Sequence, residues 1–167
     1  MISEIDWYAL TILSESNQPH EWEAIAWVIR NRREASGFGG DTYREVTRAP
    51  FQFSAWNPYR GSADDEASYA AVRAHYATDH LLSQARTVAE GISQDHRYYA
   101  PFGPKVFHYW SPRSMQPAGA TPRWNFSALR CFEVSGVDPW RFIFAESVPT
   151  GHPLAGGPSR DRFRRTA

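Results

Sequence analysis

The chain has one cysteine, one lysine, no net charge and no long apolar run among its 167 residues. Each shortage excludes something. A lone Cys131 closes no internal disulfide, so no covalent staple holds the fold. With 18 basic and 18 acidic side chains in balance, bulk electrostatics cannot hold a phosphate backbone, and no nucleic-acid partner is expected. No apolar run approaches the roughly 18 residues of a membrane span, so no membrane insertion is expected, and Met1-Ile2-Ser3-Glu4 lacks the basic start of a secretory signal. Lys105 is the single lysine, leaving arginine to carry nearly all positive charge, a bias that base composition alone can produce. What remains is one soluble globular domain, large enough to bury roughly 70% of its unfolded surface. Aromatic residues are abundant: seven Trp, eight Tyr and ten Phe, rings that suit a core and also stack on sugars.

The first half reads as helices. Ser3-Glu4-Ile5-Asp6 is an N-cap with an acidic first turn, followed by Ile5, Tyr8, Ile12 and Glu15 on one helical face. Asn17-Gln18-Pro19 interrupts this helix, and Pro19 opens a second with Trp22, Ile25, Ala26 and Ile29 inward. Arg30, Arg32 and Arg33 complement the dipole of its last turn, and Gly37 is expected to stop it. After a flexible Gly37-Phe38-Gly39-Gly40 stretch, Thr42 to Glu45 has capping-box spacing. Pro50 to Gly61 reads as an ordered loop dense in rings, and Ser62 as the cap of a helix carrying Tyr69, Val72 and Tyr76. A break near Asp79 precedes a helix with Leu81, Leu82, Ala85, Val88 and Ala89, ended by Gly91.

Prolines 101, 104, 112, 117 and 122 exclude long helices from the second half. Val106–Trp110, Leu129–Val134 and Trp140–Ala145 are strand candidates, the last two joined into a hairpin by the Gly136–Pro139 turn. Residues 1–148 therefore read as one domain, and 149–167, with three Pro, three Gly and four Arg, as a flexible polar tail. Within that tail, Arg160-Asp161-Arg162-Phe163-Arg164-Arg165 could touch an anionic surface, although a solvated tail explains it as well.

Glu15 is the candidate for chemistry. It continues the apolar stripe of the first helix to its end, where desolvation beside rings would raise a carboxyl pKa toward that of a general acid. Cys131 sits in a strand between Arg130 and Phe132 and reads as a small buried hydrophobe rather than an activated nucleophile. His75 and His80 lie on different helix faces, and no paired-cysteine or His-Glu-x-x-His pattern exists, so no metal or cofactor is expected.

An ordered series of segments carries a resemblance. Leu10 to Glu15, then Pro19, then Ala24-Ile25-Ala26-Trp27-Val28-Ile29-Arg30-Asn31-Arg32, is similar to the opening of the SleB-type cell-wall hydrolases. Pro50-Phe51-Gln52-Phe53-Ser54-Ala55-Trp56 resembles their Gln-Phe-Ser-x-Trp signature, and Ala85 to Gly91 and His108-Tyr109-Trp110-Ser111-Pro112 continue the series to about residue 117. The resemblance implies an α+β, predominantly α-helical, lysozyme-like fold with a small antiparallel β element. It implies an enzyme cutting the glycan strands of peptidoglycan, with Glu15 as catalytic acid and Gln52, Ser54, Trp56, His108 and Tyr109 lining the cleft. Ser14-Glu15-Ser16 departs from the family's common Gly-Glu-Ala and resembles the Glu-Ser pair of soluble lytic transglycosylases, which share the fold and use a lone acid. Phe107 stands where threonine is expected, and Trp110 where a smaller side chain is usual.

Cleavage of a β-1,4 glycosidic bond needs a proton donor and stabilisation of an oxocarbenium-like centre, and a standard hydrolase adds a second carboxylate. Apart from Glu90 near the end of the Ala85 to Gly91 stretch, no acid besides Glu15 belongs to the family-like segments; Asp41, Asp64 and Asp65 are loop or helix-start residues. A transglycosylase would let the substrate's own C6 hydroxyl attack. Gln52, Ser54 and Tyr109 could hydrogen-bond the glycan. Trp56 and Trp110 could stack on it, or Trp56 and Phe53 could pin the loop to the core. A glycan-binding module without activity, or a structural component of a phage-like or secretion assembly, is the alternative. With no visible signal, the chain is expected to be made in the cytoplasm and to reach the wall by phage-type release, injection or secretion, with a phage or secretion-apparatus partner undetermined.

Overall fold

The computed structural model describes residues 1–94, 100–153 and 155–156. The fold is mixed α+β. Its described elements are helices α1 (Glu4–Glu15), α2 (Pro19–Glu34), α3 (Tyr43–Arg48), α4 (Asp65–Tyr76) and α5 (Asp79–Ser93), then strands β1 (Val106–Trp110), β2 (Leu129–Phe132) and β3 (Ile143–Ser147), with short 3-10 turns between them. The chain divides into two compact units, Met1–Ala100 and Pro101–Ala167.

In the first unit α1 is the hub. Ser3 is the expected N-cap, and with Asp6 it completes a capping box in which Ser3 Oγ accepts the Asp6 N–H at 3.1 Å. The helix is not the one-sided amphipath that its spacing suggests. Every residue from Trp7 to Leu13 is buried, because α2, α3, α4, α5 and the 3-10 turn Ser54–Tyr59 pack around it. A helix apolar on all sides is a central helix. Pro19 opens α2, as its position suggests, and Trp22, Ile25, Ala26 and Ile29 face inward. The helix stops before Gly37: Ser36 takes the left-handed terminating conformation at φ 53°. The expected dipole role of the arginines is joined by a more specific one. Arg30 Nη1 donates to the Ile92 carbonyl near the end of α5 at 2.9 Å, and Arg32 Nη1 to the Gln52 carbonyl at 3.4 Å. Tyr8 and Tyr43 stack with centroids 4.0 Å apart, and Tyr8 donates to the Ala26 carbonyl.

The glycine stretch has a steric purpose. A Cβ on Gly40 would lie 2.5 Å from Glu45 Oε2, the carboxylate that closes the capping box of α3. Asp64, rather than Ser62, caps α4, and Ser62 Oγ instead accepts the Asp64 N–H. The helix after Asp79 runs past Gly91 to Ser93, with Gly91 buried within its last turn.

The second unit carries a three-stranded antiparallel sheet in the order β1-β3-β2. The hairpin between β2 and β3 forms, with Gly136 at φ 82° in its turn and Asp138 Oδ1 accepting the Trp140 N–H. β1 has the expected limits, β2 starts at the expected Leu129 but ends two residues early, and β3 is displaced a few residues toward the C-terminus. No long helix interrupts this proline-rich half among the described residues. The outer edge of β2 recruits part of the segment read as a tail: Gly156 N donates to the Leu129 carbonyl and bridges Arg130 in parallel. An edge strand has unpaired groups to offer, and the chain uses them. The Arg160–Arg165 run lies outside the described residues.

Candidate functional site

Glu15 is the last residue of α1, and its Oε1 is shielded from solvent. The corner that follows is held by several directed bonds. Ser16, itself buried, takes an extended conformation and donates its N–H to the Ile12 carbonyl at 3.2 Å. Its hydroxyl donates to Glu21 Oε2 and accepts the Gln18 N–H at 2.9 Å, while its carbonyl accepts Trp22 Nε1 at 2.8 Å. Glu21 is fully buried. A buried carboxylate is tolerated only when hydrogen-bonded, and here it ties the first turn of α2 to the residue after Glu15. Sequence reasoning missed Glu21. The available signal was an acid three residues past the Gln18 cap, in the slot that a capping box fills.

The Gln52–Trp56 segment reaches the same helix. Trp56 Nε1 donates to Thr11 Oγ1 at 2.9 Å, and the Thr11 hydroxyl donates to the Trp7 carbonyl at 2.8 Å. Thr11 precedes Glu15 by four residues, so the two share a face about 6 Å apart along the axis. Trp56 is only 2% exposed and its ring meets Trp7 with centroids 4.9 Å apart. Of the two roles open to it, the geometry gives it the anchoring one, and Phe53 is likewise buried under the Arg32 guanidinium. Gln52 is half-buried and Ser54 exposed, which leaves their side chains as the segment's accessible polar groups. Phe51, just before them, is 77% exposed and has φ 61°. On α2, burial raises the Glu23 carboxyl above its usual range.

His108 and Tyr109 belong to the sheet unit, where they take opposite faces of β1. The alternation of a strand requires this. His108 meets Trp124 at 5.2 Å between centroids, whereas Tyr109 meets Phe142 and Phe144 at 5.5 and 5.9 Å. The two therefore do not line one face together. His108 faces a pocket of about 340 Å³ whose wall includes Trp124, Asn125, Leu129 and Ser147. Trp124 is a further residue that the sequence reading missed, standing in a proline-rich segment without periodicity to mark it. Trp110 is 5% exposed and packs edge-on to Trp124, so it offers no open ring face for stacking.

Elsewhere, a pocket of about 440 Å³ at the start of α1 is lined by Asp6, Glu66, Tyr69, Arg73 and Arg86 among others, and holds none of the residues expected to carry chemistry. Its arginines are paired, Arg86 with Asp6 and Arg73 with Asp79, each at 2.6 Å. Burial pushes the Cys131 thiol up to about 11, the reverse of nucleophile activation. Among the described residues, no group of three or more His, Cys, Asp or Glu side chains is arranged to hold a metal ion, and no helix is long and apolar enough to cross a membrane. In comparisons with known proteins, no family model, no curated protein and no solved structure matches the chain.

Proposed function

We propose that this chain is a cell-wall hydrolase with a lysozyme-like catalytic unit, which cleaves the β-1,4 bonds of peptidoglycan glycan strands with Glu15 as its lone catalytic acid. One observation carries the reading. Glu15 ends a helix buried on all sides, with one carboxyl oxygen shielded from water, and the Gln52–Trp56 segment is bonded to that helix one turn away on the same face. A shielded carboxyl at the edge of a protein core is the arrangement that favours a neutral acid, ready to protonate the leaving glycosidic oxygen. The Ser16–Glu21 bond and the Trp22–Ser16 bond fix the corner beside it, and positional accuracy is what general acid catalysis demands.

Gln52 and Ser54 supply accessible hydrogen-bonding groups for sugar hydroxyls and acetamido groups. In the sheet unit, His108, Asn125 and Ser147 rim a pocket walled by Trp124, a ring-and-polar combination suited to a saccharide. Glu90, the one other acid in the family-like segments, is exposed on α5, and attack by the substrate's C6 hydroxyl is the favoured second half of the reaction. Glu15 would then return as the base that accepts its proton, leaving a 1,6-anhydro product.

Glu15→Gln should lower the release of soluble muropeptides from purified peptidoglycan at least about 100-fold while leaving cosedimentation with it intact. Mass spectrometry of the wild-type products separates the two chemistries, since anhydro ends are one water lighter than hydrolysed ends. Wild-type protein that binds peptidoglycan and releases nothing would instead be a glycan-binding module.

A further inference from the structure

Phe51 is anomalous on two independent counts. Its φ of 61° lies in the left-handed region, which glycine enters freely and a bulky side chain does not. Its ring is 77% exposed, so the strained backbone is not offset by burial of the side chain it carries. Single exposed rings are ordinary, and single strained residues occur in turns; here a strained residue presents its ring to solvent instead of burying it. The strain is nevertheless well supported. Phe51 N donates to Asn57 Oδ1 at 3.2 Å, and the next residue's N–H donates to the Ala49 carbonyl at 3.2 Å. Beyond this loop, the Trp56–Thr11 bond ties the segment to α1.

One face of the ring is already occupied. The Arg60 guanidinium lies 4.5 Å from its centroid. Arg60 is exposed and has no ion-pair partner among the described residues, in contrast to Arg44, Arg48, Arg73 and Arg86 of the same unit. The pair thus offers an open aromatic face beside a cation lacking a carboxylate.

We infer that Phe51 and Arg60 form a contact site for an acidic glycan, the ring stacking on the C–H face of a sugar and the guanidinium pairing with a carboxylate carried on the same strand. This rests on the glycan-cleaving reading and narrows its substrate class: strands bearing carboxylates, such as those with peptide stems, over neutral chitin-type oligomers.

The test uses the full chain carrying Glu15→Gln, so that binding is measured without cutting, titrated calorimetrically with chitotetraose and with soluble peptidoglycan strands that retain their stems. Adding Phe51→Gly should weaken both about tenfold, yet the protein should melt no lower than its parent, because glycine relaxes the left-handed position. Phe51→Ala should bind as weakly as Phe51→Gly and melt about 2–4 °C below it. Arg60→Gln should weaken the acidic strands alone. In the active chain Phe51→Gly should raise KM and preserve kcat. Unchanged affinity in Phe51→Gly, or a lowered melting point with affinity intact, overturns the inference even while wild-type protein goes on cutting. Failure of the parent to bind either glycan, with no cutting by wild type, removes both the inference and the reading beneath it.

Discussion

The two units spend their aromatic residues differently. In the helical unit the polar handles of the rings are used as locating bonds: Tyr8 to the Ala26 carbonyl, Trp22 to the Ser16 carbonyl, Trp56 to the Thr11 hydroxyl. In the sheet unit the rings mostly lean on one another. Phe102, Phe132, Phe144 and Tyr109 cluster on one side, and Trp110, Trp124 and Phe126 on the other. Trp110 Nε1 is buried there without an acceptor, as Trp27 Nε1 is in the helical unit. Directed bonds define a position to within tenths of an ångström, whereas ring clusters define a neighbourhood. The corner that follows Glu15 is among the places held by directed bonds.

The comparison breaks most readily at its tryptophans. Trp56→Phe removes a bonded indole from a tight site and takes away the donor to Thr11 Oγ1, at an expected cost of about 2–4 kcal/mol in urea unfolding followed by far-ultraviolet circular dichroism. Trp110→Phe removes a buried donor that has no acceptor, so its packing loss is partly offset and the cost should stay under about 1 kcal/mol. Equal costs would dissolve the distinction between the units.

A smaller effect concerns the surface of the helical unit. Asp65 accepts from Arg44 Nε at 2.5 Å and Arg48 Nη1 at 2.9 Å. The Arg44 hydrogen bond, above all, holds its carboxyl below the usual range. A depressed carboxyl stabilises the fold above its unfolded value of about 3.9 and loses that contribution as pH falls through the folded value. Asp65→Asn should therefore cost up to about 1 kcal/mol at pH 7, screened by the pair's exposure, and almost nothing near pH 2. Parallel denaturation curves at the two pH values decide it. Smallest of all, Cys131 should react sluggishly with iodoacetamide at pH 8 in the folded chain and briskly in urea, since burial keeps its thiol protonated. Fast labelling of the folded chain would show the sheet unit to be looser than its ring clusters suggest.

Local signals were the legible part. The N-cap at Ser3, the capping box at Thr42, Pro19 at a helix start and the β-rich Val106–Trp110 run each act within a few residues, and each formed where the chain announced it. What escaped was tertiary. The spacing of α1 described one face, but a helix walled by four others has no outer face, and only their arrival reveals that. Ser62 and Asp64 are both competent caps, and the winner is settled by how the preceding turn enters α4. Glu21 looked like any acid in a first turn until Ser16 came to meet it. His108 and Tyr109 are neighbours in sequence, yet a two-residue period sends them apart. The segments about Glu15 and Gln52–Trp56 could be picked out by resemblance, while the bond from Trp56 to Thr11 could not, because nothing within 45 residues of chain hints at that partner.

The enclosure of α1 has a consequence for the nascent chain. This helix is translated before the elements that wall it, and α5, one of those walls, is completed only at Ser93. Until then Trp7, Leu10, Ile12 and Leu13 have an incomplete shelter, and the emerging polypeptide presents a sticky apolar segment for as long as some eighty further residues take to be made. Translation pauses within that window would prolong its exposure to aggregation or to capture by a chaperone.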